Sequence, residues 1–263
     1  MTTLVQSISG GMDSTCLALH HLAQGRELYL LSFDYGQKHR LELERLDANL
    51  ALFQKASLPL HHVRLHVPFG VLVNSALTTA EVDCPTGFYA DENMKATVVP
   101  NRNAIFSSFC FAKALSIAVE RDETIGLSLG VHAGDHDIYP DCRPEFFEAI
   151  HRAYVIGNWD GEKVQLDLPF LHLDKAAILR VGVDACQRLG LDFDEVLSNT
   201  STSYAPTLEG LADGRTGSDV ERVLAFHEIG RIDPIEYRDG WEATLAYALK
   251  AKTEWERANS KPS

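Results

Sequence analysis

"SISGGMDSTCLAL", Ser7 to Leu19, carries a short apolar run through two adjacent glycines into a helical pattern. Gly10 and Gly11 have no Cβ, so the backbone there can close on an anion. Asp13 and Ser14 open a helix whose first amides lack an intrahelical acceptor and whose dipole attracts negative charge. Ser9 and Ser14 add hydroxyl donors. Ser9, Gly10, Gly11, Met12, Asp13 and Ser14 together make a cradle for phosphate or pyrophosphate. The competing reading is a tight strand-to-helix turn with an N-cap. No lysine follows the glycines, which excludes the G-x-x-x-x-G-K-[ST] loop.

Upstream, "TTLVQSIS" (2–9) predicts a first strand, and Asp13 to about Gly25 a helix that Gly25 caps. "ELYLLSFDY" (27–35) predicts a second buried strand. Leu43, Leu46, Leu50 and Phe53 recur at helical spacing before "ASLPL" (56–60), and "HHVRLHV" (61–67) alternates as a third strand. Residues 68–101 lack strong periodicity; a connection of that length suits a functional lid. Residues 103–118 are apolar almost all round, which predicts a buried helix. "TIGLSLGVH" (124–132) follows as a strand, then helices over 144–155 and 174–189. This alternation is the mark of an α/β fold, a parallel sheet with helices on both faces. Ligands of such sheets sit beyond the carboxyl ends of the strands. Past residue 198 no strand pattern recurs. Helices are predicted there at 218–229 and 241–257, the second with Trp241, Leu245 and Leu249 on one stripe. The expected organisation is a nucleotide-binding unit over 1–197 and a helical C-terminal appendage over 198–263.

The chain has 263 residues, enough to bury a sizeable core, and a formal charge of −13. So acidic a surface repels a phosphate backbone and excludes a broad nucleic-acid platform, while leaving room for a nucleotide in a local pocket. No basic N-terminal segment leads into an apolar run, and no run approaches the roughly 18 apolar residues of a membrane span. Five scattered cysteines, with no pair at zinc-ligand or redox spacing, fit free thiols in a reducing cytoplasm. Those readings predict a cytoplasmic protein without a membrane partner.

Ser9-Gly10-Gly11-Met12-Asp13-Ser14 resembles the SGG-x-DS signature of the PP-loop ATP pyrophosphatases. The resemblance implies the Rossmann-like (HUP-type) fold of adenine nucleotide alpha hydrolases, and cleavage of ATP between its α and β phosphates. Three later stretches narrow it. "FDYGQKHRLELE" (Phe33 to Glu44), "VPNRN" (Val99 to Asn103) and "GVHAGDHDIYPDCRPEF" (Gly130 to Phe146) resemble 7-cyano-7-deazaguanine synthase in order and spacing. "PFLHLDKAAI" (Pro169 to Ile178) is similar to the lysine-bearing segment of that family. The family adenylates the carboxylate of 7-carboxy-7-deazaguanine, forms an amide with ammonia, then adenylates the amide and expels AMP to leave a nitrile.

On this resemblance Asp13, Lys175 and Arg143 are the candidate catalytic residues, and ATP with Mg2+ the expected cofactors. Lys175 would neutralise phosphate charge as pyrophosphate separates; its plain alternative is a surface lysine. Arg102 and Arg143 match phosphate or carboxylate oxygens bidentately, with Asn103 and Tyr139 beside them in the same motifs. Asp135 and Asp141 would accept from the guanine-like N–H edge or hold magnesium between phosphates, or serve as turn residues. Phe33 and Tyr35 flank adenine or belong to the core. Cys142 reads as inert packing more readily than as a nucleophile. His132 and His136 lack a further ligand in register, so His132 reads as a substrate contact or a satisfied histidine rather than a metal ligand.

The family's four zinc cysteines are replaced here. Ser203 precedes Tyr204 where Cys-Tyr is expected, and Asp213, Thr216 and Asp219 stand at the other three positions before "ERVLAFHEIGRIDP" (221–234). Two carboxylates and two hydroxyls are not the soft tetrahedral set zinc favours, so no zinc is expected. The stability zinc would supply must then come from elsewhere, with the Trp241 helix as candidate, on its own subunit or across a homodimer. A zinc-less copy suggests a specialised paralogue, such as those of anti-phage defence or nucleic-acid and protein modification. The leading expectation is an ATP-dependent carbon–nitrogen ligase joining 7-carboxy-7-deazaguanine to ammonia or a macromolecular amine. Nitrile synthesis for queuosine is the alternative, and a non-catalytic nucleotide sensor the alternative from another class.

Overall fold

In a computed structural model, residues 1–35, 41–68, 98–135, 139–201 and 210–259 are described. The strands are β1 (Thr3–Ser7), β2 (Glu27–Asp34), β3 (Leu60–His66), β4 (Ile125–Ser128) and β5 (Val164–Leu166). They pair in parallel in the order β3-β2-β1-β4-β5, with Val5 opposite Tyr29 on one side and Leu127 on the other. Strand alternation sends successive side chains to opposite faces. Leu4, Leu28 and Leu30 pack on Ala18 and Leu22 of α1 (Met12–Ala23) and on Leu46 and Leu50 of α2 (Leu41–Lys55). Their neighbours Val5, Leu31 and Phe33 pack on the opposite face. There they meet Phe111, Ala114 and Ile117 of α3 (Arg102–Arg121) and Phe147 of α4 (Pro144–Gly157). The sheet therefore has helices on both faces, as the alternation of elements predicts.

A further cluster joins α1 to α5 (Lys175–Leu189), α6 (Phe193–Ser198) and α7 (Gly217–Glu228) through Met12, Leu17, Ile178, Leu179, Val196 and Phe226. Phe226 is fully buried there, a contribution of about 2–3 kcal/mol. α8 (Trp241–Asn259) covers α7 with Trp241, Leu245 and Ala248 against Val220, Val223 and Tyr237.

Several sequence readings are corrected. The helix over 103–118 is not buried all round. Its inner face is core, while Phe109 and Val119 are 41% and 53% exposed. By length and composition α3 could cross a membrane, which counting consecutive apolar residues does not register, yet its inner face packs on β1 and β4. Leu249 is 41% exposed because Ala248, one helical step away, takes the inward position. The strand expected over 124–132 stops at Ser128, and Leu129 to His132 turn to line the ligand cavity. β5 and α6, three and six residues long, are too short for periodicity to announce. Beyond 198 the only β pairing among the described residues is an isolated bridge, Ala212 with Tyr237. The lid expected over 68–101 lies almost wholly outside the described residues. The described cysteines Cys16, Cys110, Cys142 and Cys186 are buried and form no disulfide with one another.

Candidate active site

Gly10 occupies a place that only glycine fits. Its φ is +90°, and a Cβ there would stand 2.3 Å from the Glu42 carbonyl oxygen. The first turn of α2 thus rests directly on the loop. Two serines stitch loop to helix: Gly11 N donates to Ser9 Oγ (3.1 Å), and Ser9 N donates to Ser14 Oγ (3.3 Å). Ser14 Oγ in turn lies 3.2 Å from the Gly11 carbonyl. Gly11 is the N-cap of α1 and supplies no side-chain cap, so the first-turn amides keep their affinity for an anion. Gly130 brings the end of β4 against this turn; an added Cβ would lie 3.2 Å from Ser14 Cα. Ser201 N donates to the Gly10 carbonyl (3.1 Å), fastening the segment that follows α6 to the loop.

These elements enclose a cavity of about 220 Å³ at the carboxyl ends of the strands. Ser9, Gly11, Met12, Asp13 and Ser14 line it with His132 and Lys175. Phe33, Tyr35, Arg102, Asn103 and Tyr139 complete the wall from the expected set. Gly10 lies beneath the loop, against α2. Asp141 and Arg143 are not among the lining residues: Asp141 offers its backbone carbonyl to Asn103 Nδ2 (3.3 Å), and Arg143 is the N-cap of α4. Asp135 closes a short 3-10 turn, its side chain outside the described set, as are His136 and Ser203.

Asp13 faces the His132 ring. Its Oδ1 is buried without a hydrogen-bond partner among the described residues, and its Oδ2 lies 3.7 Å from His132 Nε2. Gly134 N donates to His132 Nδ1 (3.1 Å), so Nε2 is the ring nitrogen left to donate toward Asp13. Lys175 begins α5, whose N-cap Asp174 accepts from Ala177 N (2.7 Å). Its side chain is 10% exposed and its Nζ lies 2.8 Å from Glu221 Oε2 on α7, so it is no solvated surface lysine.

Phe33 stacks on Phe106 at 4.0 Å between centroids and 4° between planes, making it both core and cavity wall. Tyr35 has its phenol pushed up by burial, with Arg102 opposing the shift through charge and a hydrogen bond. Glu42, half-buried in the wall, has its carboxyl pushed up to about 7 by desolvation, against the pull of Arg102. Cys142 is buried, lines the cavity and lies 3.2 Å from Asn103 Nδ2.

Glu42, Phe106, Ser201, Ser218 and Glu221 were not singled out from sequence, yet the first four line the cavity and the last holds Lys175. For Glu42 a signal existed: it is a carboxylate four residues before Leu46, on the apolar stripe of α2. At the replaced cysteine positions, Asp213 pairs with Arg238 at 2.6 Å. Thr216 and Asp219 form a reciprocal capping box at the start of α7. Among the described residues no group of three or more His, Cys, Asp or Glu is placed to hold a metal.

A family model described as queuosine biosynthesis protein QueC matches residues 3–230. The 7-cyano-7-deazaguanine synthase of Caldicellulosiruptor saccharolyticus is 42% identical over 231 residues, covering 88% of this chain and 93% of that protein. The synthase of Methanoregula boonei is 40% identical over 230 residues, covering 88% and 96%. The solved NMN synthetase of Francisella tularensis overlaps at a TM-score of 0.40 and 10% identity, covering 100% of this chain and 88% of that one, too slight a likeness to add weight. The match runs from β1 through α7 and takes in the glycine loop, the cavity and the lysine that faces it, and the chain belongs to the QueC family of PP-loop proteins.

Proposed function

We propose that the protein makes 7-cyano-7-deazaguanine from 7-carboxy-7-deazaguanine, ammonia and ATP in the cytoplasm. One observation carries the reading: a single cavity runs from the glycine loop and Lys175 to Arg102, Asn103 and Tyr139 of the family's later motifs. In the first cycle a carboxylate oxygen bonds to the α-phosphorus while the α–β bridging oxygen leaves with its electron pair on pyrophosphate. The loop amides and Lys175 receive that charge. Ammonia then displaces AMP, forming the amide. In the second cycle the amide oxygen is adenylated and departs with AMP, and nitrogen gives up two protons to leave the nitrile.

Magnesium belongs to the same proposal. It keeps several waters and takes one or two carboxylates beside phosphate oxygens, and Asp13, with its buried unpartnered Oδ1, suits that place. When bound it would neutralise phosphate charge.

The names of the two synthases support the nitrile-forming reading above the amide-stopping ligase, and neither name points to defence or conjugation. Only the replacement of the four cysteine positions favours a reaction that stops at the amide. Pyrophosphate release with the free acid and ammonia, followed by mass spectrometry, tests both. Nitrile product supports the proposal; amide alone, or an adenylate that waits for a protein amine, supports the second reading. No release with any amine would leave a nucleotide-binding sensor.

A further inference from the structure

The segment that replaces the zinc ligands is built into the phosphate end of the cavity. Thr216 Oγ1 donates to Asp219 Oδ2 (2.7 Å), and the Thr216 amide donates to the same oxygen (3.3 Å). That box fixes where α7 begins, and so which side chains its first turns present. Ser218 lines the cavity, and Glu221, one turn on, puts Oε2 2.8 Å from Lys175 Nζ. Its other oxygen borders the turn that carries His132: a Cβ added at Gly134 would be 3.5 Å from Glu221 Oε1. Arg222, the next residue, is fully buried and bonds Asp233, Thr200 and the Leu197 carbonyl, so the helix cannot slide without breaking an internal ion pair.

We propose that Glu221 is a positioning residue for Lys175, which makes α7 part of the catalytic apparatus. This rests on the adenylating reading above. An ammonium carries three N–H donors. One directed at Glu221 fixes the direction of the others within the cavity that Lys175 shares with the glycine loop. A mobile lysine would have to be ordered during the reaction, whereas a held one is ready as charge develops. Glu221 therefore acts on the separating pyrophosphate more than on bound ATP.

The test uses Glu221→Leu and Glu221→Gln, with Glu228→Gln as control on the exposed face of the same helix, where it pairs with Arg180. Glu221→Leu lowers kcat for pyrophosphate release at least tenfold and moves KM for ATP less than twofold. Glu221→Gln, which keeps an acceptor, falls between, and the control matches the wild type. In calorimetry without the acid, Glu221→Leu weakens inorganic pyrophosphate with magnesium at least fivefold and leaves ATP within twofold. An unchanged kcat overturns the proposal. So does equal weakening of ATP and pyrophosphate together with a lowered melting temperature, which marks a structural role. A wild type that releases no pyrophosphate with 7-carboxy-7-deazaguanine rejects that substrate, and the pyrophosphate titration still decides the part of Glu221.

Discussion

Removing the Asp233 carboxylate should loosen α7 and α8. Asp233 and Arg222 are both fully buried, and the carboxylate accepts Arg222 Nε at 2.6 Å and Nη2 at 2.9 Å. It also accepts Tyr237 Oη at 2.7 Å and the Ile235 amide at 3.2 Å. Arg222 also donates to Thr200 Oγ1 and the Leu197 carbonyl, which joins α7 to α6. Asp233→Ala leaves a guanidinium without its counter-charge in the interior, a cost of about 3–5 kcal/mol. Stranding the Tyr237 hydroxyl and Ile235 amide adds about 1–3 kcal/mol for each that water cannot reach. Against a total of about 5–15 kcal/mol, that loss unfolds much of the population or detaches α7 and α8. Replacing both partners, Arg222→Met with Asp233→Leu, removes the stranded charge and costs far less, so the double-mutant cycle gives a coupling above about 2 kcal/mol. The assay is urea unfolding followed by far-UV circular dichroism and by tryptophan fluorescence, since Trp241 packs 6.3 Å from the Tyr237 ring. A cost below about 1 kcal/mol for Asp233→Ala would refute the view that this pair fastens α7 and α8.

Three further outcomes follow from the geometry. Gly10→Ala forces a Cβ against the Glu42 carbonyl at a φ of +90°, so it weakens ATP binding at least tenfold in calorimetry and destabilises by about 1–3 kcal/mol; native affinity would show that α2 does not rest on the loop. Glu42 has a folded pKa raised to about 7, so the native state holds its proton longer and stability falls as pH rises from about 4.5 to 7. Glu42→Gln is therefore the more stable protein at pH 8, by at most about 3 kcal/mol, and equals the wild type at pH 4; equal urea midpoints at pH 8 would contradict the burial penalty. His21, buried and 3.0 Å from Ser128 Oγ, is pushed down to about 3 by burial, so stability is lost as pH falls from 6.5 toward 3. His21→Gln flattens that decline by up to about 1.4 kcal/mol per pH unit, and an unchanged slope would place the loss elsewhere.

Much of the fold was legible because its signals are local. The glycine pair, the Leu43 stripe and the alternation of strands with helices each report on neighbours in sequence, and they place the elements to within a few residues. The glycine loop was legible for the same reason, and Lys175 through its motif. What sequence withheld depends on distant segments meeting. Glu221 gains its meaning only from α5, and Glu42 from the loop its carbonyl touches. Asp141 and Arg143 sit in the most specific motif, yet one offers its backbone carbonyl to Asn103 and the other stands at the N-cap position of α4. The replaced cysteine positions could be read as a loss; the Thr216–Asp219 capping box and the Asp213–Arg238 pair show what three of them do instead.

The central claim is that a carboxylate oxygen of the acid attacks the α-phosphorus of ATP above the glycine loop. Turnover of 7-carboxy-7-deazaguanine labelled with 18O in both carboxylate oxygens tests it directly by mass spectrometry of the nucleotide products. The expected result is one 18O in each AMP and none in pyrophosphate. Label in inorganic phosphate with ADP as partner product, or AMP without label, would contradict it.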